Sequence, residues 1–320
     1  MKSLRPISVQ EANLSPLGLD GDRNLMLVQP YYSSHKSSTS STHRFVTQRQ
    51  CSKLATIMAS LPIIVEEKKL ITLSSDSVPG KSVSIDVSSK ALDTYTIKHR
   101  AGLWDDVVDV VDVGDEAALF VQSIMRQEND TYNDVRVVSI SPKLTDRKTD
   151  GRYLPKAALN PFSGNVPNVS LTDGFPILIA SEESLGALNG KLREKGKREI
   201  PMSRFRPNIV VKGLSKAFEE DEWKAIQIGG DTGPILHVVK GCPRCKQSCT
   251  DQLTGERDTE PLETLSEFRA FGKDNEVYFA QNVALQPGTK TTMSTIRVGH
   301  EVRVLTVGRP VWDMDTVSAE

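Results

Sequence analysis

Apolar and polar residues alternate in short runs along this chain, and stretches with helical spacing are few. Asn24–Val28, Leu61–Val65, Ser82–Val87, Val135–Ile140 and Ile235–Val239 are compact runs rich in Val and Ile. Alternation with β-branched residues predicts strands there. Three stretches carry a helical repeat. Gly114–Arg126 (GDEAALFVQSIMR) spaces its apolar residues as a helix does. Ser181–Arg193 (SEESLGALNGKLR) opens with a serine followed by acids and closes in basic residues, which predicts a capped helix matched to its dipole. Pro261–Arg269 (PLETLSEFR) is a shorter third. No G-x-G-x-x-G follows a strand and no P-loop is present, so a dinucleotide-binding β-α-β protein is not expected. The pattern predicts a β-rich α+β protein.

Two loops interrupt it. Ser33–Thr42 (SSHKSSTSST) is of low complexity and reads as an insertion between strands. Lys143–Arg152 is charged and turn-rich, and it separates a strand-rich first part from the rest. The division expected is residues 1–142, 143–308 and a C-terminal tail, 309–320.

Composition narrows the class. The 320 residues are 38% hydrophobic and 25% charged, an ordinary globular profile with ample core. A net charge of −1 argues against a general nucleic-acid binder, while leaving room for a local basic pocket. No run approaches the roughly 18 to 20 apolar residues of a membrane-spanning helix. MKSLRPISVQ lacks the apolar centre of a signal peptide. Of four cysteines, Cys242, Cys245 and Cys249 fall close together and Cys51 stands apart, which points to a reducing compartment rather than a disulfide scaffold.

Candidate chemistry centres on Gly241-Cys242-Pro243-Arg244-Cys245, which follows a predicted strand. Four readings compete: inert thiols; half of a zinc site, with Cys249 as a third ligand and only His237 nearby; a thioredoxin-like pair, though without its helix context; and one thiolate holding a soft or high-valent metal that is otherwise held by its own organic cofactor. In the last, the adjacent Arg244 would favour the thiolate and offer donors to an anion. Ser203-Arg204-Phe205-Arg206-Pro207-Asn208 places two arginines on a fixed turn before the apolar Ile209–Val211. Lys2, Ser3 and Arg23 are candidates to grip a phosphate. Leu171–Pro176 is a turn whose amides could meet a ligand, and the polar run Phe45–Gln50 (FVTQRQ) could line a cleft.

The order of these features, from the Lys-Ser pair through G-D-R, F-V-T-Q-R-Q, G-D-E-A-A, L-T-D-G-F-P-I-L-I-A-S-E-E-S-L, R-F-R-P-N-I-V-V, C-P-R-C and I-R-V-G-H-E-V, resembles the MOSC family. It is most similar to the two-part type that carries a MOSC N-terminal β-barrel domain, as in amidoxime-reducing components. The resemblance implies a MOSC β-barrel with an associated N-terminal β-barrel domain and a few peripheral helices. It implies a molybdenum–molybdopterin cofactor and reduction of N-hydroxylated compounds such as amidoximes and hydroxylamines. Electrons would come from a separate haem or flavin donor, a cytochrome b5-type protein or a flavin reductase; pyridoxal phosphate is not expected. Carriage of the cofactor or of a persulfide without turnover is the alternative. By the same resemblance Cys245 is the metal ligand. Lys2, Ser3 and Arg23 hold the phosphate. Asp173, Gly174, Phe175, Arg206, Asn208, Pro243 and Arg244 contact the cofactor, and Cys242 and Cys249 are bystanders. A monomer that binds no nucleic acid and spans no membrane is expected, in the cytoplasm, or in mitochondria should the natural chain begin upstream of Met1.

Overall fold

The computed structural model describes residues 2–15, 17–31, 42–140, 147–160, 163–287 and 294–314, with only the backbone of Ser294. Most of the predicted insertion Ser33–Thr42, the start of the Lys143–Arg152 loop and the end of the 309–320 tail lie outside the described residues.

Strands Leu25–Pro30, His43–Val46, Lys98–Leu103, Asp106–Asp112 and Arg136–Ile140 close into a five-stranded barrel. Alternate residues from these strands, Met26 and Val28, Ala101 and Leu103, Val108 and Val110, Val138 and Ile140, form one buried cluster with Phe45. Period-two alternation turns them to the barrel interior. The other parity, Leu25, Leu27 and Val137, packs outward against Ala117, Phe120, Val121 and Ile124 of the helix Asp115–Met125. Both faces are covered, which is why Leu25–Val28 is an unbroken apolar run. A smaller antiparallel sheet flanks this helix: Ile57–Ala59, Ile63–Val65, Lys68–Ser75 and Ser82–Asp86. The predicted strand Leu61–Val65 shortens to Ile63–Val65, because Pro62 has no N–H to pair. Its three side chains are exposed, so apolarity there marks an edge hairpin rather than core.

The second half is a seven-stranded half-barrel. Its strands run in the order Ile209–Val211, Ile177–Ser181, Glu276–Leu285, Ile235–Pro243, Trp223–Ile228 and Val302–Val307, with Ala270–Phe271 alongside Glu276–Leu285. Within this sheet Ile177–Ser181 and Ile209–Val211 pair in parallel, joined by the helix Glu182–Glu194. Ser181 caps that helix, its Oγ accepting from the Ser184 N–H at 3.1 Å; such caps contribute about 1 kcal/mol. One sheet face buries Ile177, Ile179, Ile226, Leu236 and Val283. The other packs Leu178, Ala180 and Phe279 against Leu188, Leu192 and Leu265 of the helices. The architecture is the β-rich α+β arrangement expected.

The halves interlock. Glu11–Ser15 from the chain start pairs with Ser294–Arg297, Glu11 opposite Arg297. The predicted strand Ile235–Val239 runs on to Pro243, which carries the C-P-R-C segment out of the half-barrel towards the closed barrel.

Candidate functional site

Where the halves meet, a cleft of about 800 Å³, open mouth included, is walled by residues from both. Among the described residues six basic side chains line it, Lys2, Arg23, Arg49, Arg204, Arg206 and Arg244, against one acid, Asp173. Such a balance suits an anion. Three of the lining residues, Ser3, Arg23 and Arg206, hold left-handed backbone with φ of 69°, 52° and 57°. Non-glycine residues adopt that region at a cost of order 1 kcal/mol each, and such strain gathers where side chains must be aimed.

The first wall is built around Lys2. Its Nζ is buried and donates to the Leu171 carbonyl at 2.8 Å and to Asp173 Oδ1 at 2.7 Å. Burial pushes the Lys2 ammonium down to about 8, with Asp173 resisting the shift. Asp173 faces the cleft. Burial opposes its ionisation, but Lys2, the Trp104 indole and Arg49 outweigh that and hold its carboxyl well below the usual range. Trp104 Nε1 donates to Asp173 Oδ1 at 2.9 Å. The turn itself is organised by the buried Arg147, which donates to the carbonyls of Ser170, Thr172 and Asp173 and pairs with Asp106 at 2.6 Å.

The second wall is the Arg206-Pro207-Asn208 turn. Asn208 Oδ1 accepts from the Leu178 N–H at 3.0 Å, and its Nδ2 donates to Asp22 Oδ2 at 2.8 Å. Arg23 bridges the same group, donating to Asp22 at 2.9 Å and to Asn208 Oδ1 at 3.3 Å. Arg206 donates to the Leu4 carbonyl and to Gln252 Oε1 at 3.2 Å. Burial, then repulsion from Arg23, lowers its guanidinium to about 10. Lys2 is thus a buried cation that shares its countercharge, Asp173, with the cleft mouth, and Arg206 is a half-buried guanidinium held by neutral acceptors; an anionic ligand would stabilise both.

The third wall is the C-P-R-C segment. The Cys245 sulfur receives Arg49 Nε at 3.0 Å. Arg244 donates instead to Cys242 Sγ at 3.0 Å and to the Phe205 carbonyl at 2.7 Å. Cys249 is buried away from the cleft, its thiol donating to the Thr259 carbonyl at 3.3 Å.

The MOSC domain family matches residues 167–303, and the MOSC N-terminal beta barrel domain family matches residues 1–128. The chain belongs to the MOSC family. Among its relatives, mitochondrial amidoxime reducing component 2 of Macaca fascicularis is 29% identical over 98% of this chain and 81% of its own length. The Rattus norvegicus protein of the same name is 38% identical over 49% of this chain and 42% of its own. A molybdenum cofactor sulfurase of Aspergillus terreus is 31% identical over 43% of this chain and 17% of its own. The matched region thus spans less than half of the latter two relatives.

Within this MOSC protein the cleft brings together Lys2, Ser3, Arg23, Asp173, Phe175, Arg206, Pro243, Arg244 and Cys245. Asn208 stands directly behind, through Asp22, Arg23 and Leu178. Gly174 is on the turn but outside the lining; its carbonyl accepts from the Asp150 N–H. The hydrogen-bond partner differs from the one adjacency suggests: Arg244 donates to Cys242, and among the described residues Arg49 donates to Cys245. Sequence reasoning left Arg49 in a general cleft-lining run and did not single out Trp104 or Arg147. Among the described residues no three His, Cys, Asp or Glu side chains are placed to share a metal, which leaves the zinc reading of C-P-R-C without a ligand set.

Proposed function

We propose that this MOSC protein is a molybdenum-cofactor-dependent oxidoreductase that reduces N-hydroxylated compounds, amidoximes and hydroxylamines, with electrons from a separate cytochrome b5-type or flavin-reductase donor. The observation that carries this reading is the Cys245 thiol, which receives Arg49 and stands near Cys242 in the wall of a cleft with six basic side chains. That donor set fits a polyanionic pterin whose metal needs one protein sulfur.

In this reading Cys245 ligates the metal. Lys2, Ser3 and Arg23 hold the phosphate, Arg206 and Asn208 the pterin, and Asp173, Gly174, Phe175, Pro243 and Arg244 present contacts around it. The bound cofactor supplies the redox chemistry that removes oxygen from the N–O bond as water. Asp173 orients Lys2 Nζ, Arg147 fixes the turn that carries Asp173, and Phe175 with Ile177 and Leu178 gives the cleft an apolar wall. The same reading divides the chain near residue 142 and treats 309–320 as a tail. Among the described residues no helix is long and apolar enough to cross a membrane; a cytoplasmic or mitochondrial setting accompanies the proposal.

The sulfurase relatives favour a second reading, a carrier of cofactor or persulfide without turnover. Protein from a host that makes the cofactor is to be assayed for molybdenum, zinc and pterin fluorescence, then for amidoxime reduction with a chemical electron donor. Bound molybdenum with turnover, both lost in Cys245→Ala, is expected. Molybdenum without turnover selects the carrier, and zinc without molybdenum sinks both.

A further inference from the structure

Arg49 reaches across from the N-terminal half to the sulfur supplied by the C-terminal half. Its Nε lies 3.0 Å from Cys245 Sγ, and among the described residues it is the side chain that donates there. Its guanidinium lies over the Trp104 ring, 4.5 Å from the centroid. Trp104 is itself pinned by its indole N–H on Asp173 Oδ1, the oxygen that Lys2 also holds. Trp104 occupies the turn between Lys98–Leu103 and Asp106–Asp112 with φ of 59°, an uncommon state for a bulky residue. The backbone is tied as firmly: Arg49 N–H donates to Thr47 Oγ1 at 3.1 Å, and Arg257 donates to the carbonyls of Gln48 and Arg49.

We propose that Arg49, clamped on Trp104, is a positioning residue for the Cys245 sulfur that sets its rotamer and its electron donation to the metal. The inference rests on the reading of Cys245 as ligand. A free arginine loses rotamer entropy when it is ordered. Here stacking and backbone ties order it in advance, so the hydrogen bond to sulfur is formed before any ligand arrives. A hydrogen bond to a ligating thiolate withdraws charge from sulfur and weakens its donation, which tunes the metal's potential. Arginine suits the task because one plane can stack on indole while its Nε–H points elsewhere; lysine has no such plane.

The test uses cofactor-loaded protein and reads molybdenum content, the electron paramagnetic resonance signature of half-reduced molybdenum, and steady-state kinetics. Arg49→Gln should keep molybdenum within about twofold, shift the resonance signature, and lower kcat about 10- to 100-fold, the usual span for groups that support a metal ligand. Arg49→Lys should not restore the signature. Trp104→Ala should shift it in the same direction, and it decides the matter alone if Arg49→Gln does not load. A signature identical to the unmodified protein in the loaded variants overturns the inference. Molybdenum retained in Cys245→Ser overturns the ligand assignment instead, so the two failures are told apart.

Discussion

Gln48 and Gln252 exchange side-chain amide hydrogen bonds, Gln48 Nε2 to Gln252 Oε1 at 3.0 Å and Gln252 Nε2 to Gln48 Oε1 at 2.9 Å, with both residues buried. The pair is a buried polar clasp between the closed barrel and the half-barrel, and Arg206 also donates to Gln252 Oε1. Gln48→Leu should cost about 1–3 kcal/mol, because it strands a buried amide. Gln252→Leu should cost more, since Arg206 loses an acceptor too. The double variant should recover part of the loss. Denaturant unfolding of the four proteins as a double-mutant cycle measures this, and strictly additive losses would show that the clasp does not act as a pair.

Lys2 ties stability to alkaline pH. Burial lowers it from 10.5 to about 8. Between those values the unfolded chain carries a proton that the folded chain has released, so stability rises with pH across that window. Below about pH 8 both states are protonated and the penalty is constant. The rise should total at most about 3.5 kcal/mol, at about 1.4 kcal/mol per pKa unit. Lys2→Met should abolish it, and an anionic ligand in the cleft should flatten it by adding a second negative charge beside the ammonium, next to Asp173. Denaturant midpoints recorded from pH 7.5 to 10.5 check both; an equal rise in Lys2→Met would assign it to another group.

These couplings explain what could be read from sequence and what could not. The helices at Asp115–Met125 and Glu182–Glu194 were legible because periodicity and the Ser181 cap are local signals. Residues of the candidate site were nameable for the same reason: Arg206-Pro207-Asn208 and C-P-R-C are contiguous runs. Arg49 was not assignable to Cys245, since the two lie 196 positions apart and nothing local links them. Adjacency makes Arg244 the natural partner of Cys245, yet it donates to Cys242. Ile63–Val65 reads as strand correctly, but apolar character alone does not say that a hairpin edge faces solvent.

The end of the strand that leads to Cys245 is buttressed by the C-terminal segment. The Gly241 N–H donates to the Val311 carbonyl at 2.8 Å, and a Cβ on Gly241 would stand 2.5 Å from the Trp312 ring and 2.9 Å from Tyr278. Gly241→Ala should therefore destabilise by about 1–3 kcal/mol through overpacking. Trp312→Ala removes the closer of the two contacts and leaves the one with Tyr278, so in that background Gly241→Ala should cost less but not become neutral. Thermal unfolding of the single and double variants reads the coupling, and an undiminished cost in the Trp312→Ala background would place the clash elsewhere.

Cys242 and Cys245 should separate cleanly under substitution. Both are half-buried in the cleft wall, but Cys242 meets Arg244 Nη1 at 3.0 Å and Cys245 meets Arg49 Nε at 3.0 Å. Serine at 242 keeps an oxygen acceptor for Arg244 and nearly the same volume, so Cys242→Ser should cost less than about 1 kcal/mol. It should leave molybdenum content unchanged. Cys245→Ser replaces a soft donor with a hard, weakly acidic hydroxyl, and molybdenum content should fall with activity while the fold persists. Elemental analysis beside circular dichroism on the two variants decides the point. Equal metal loss in both would convert the single-sulfur site into a two-cysteine one, and Arg244 would then hold a ligand rather than a neighbour.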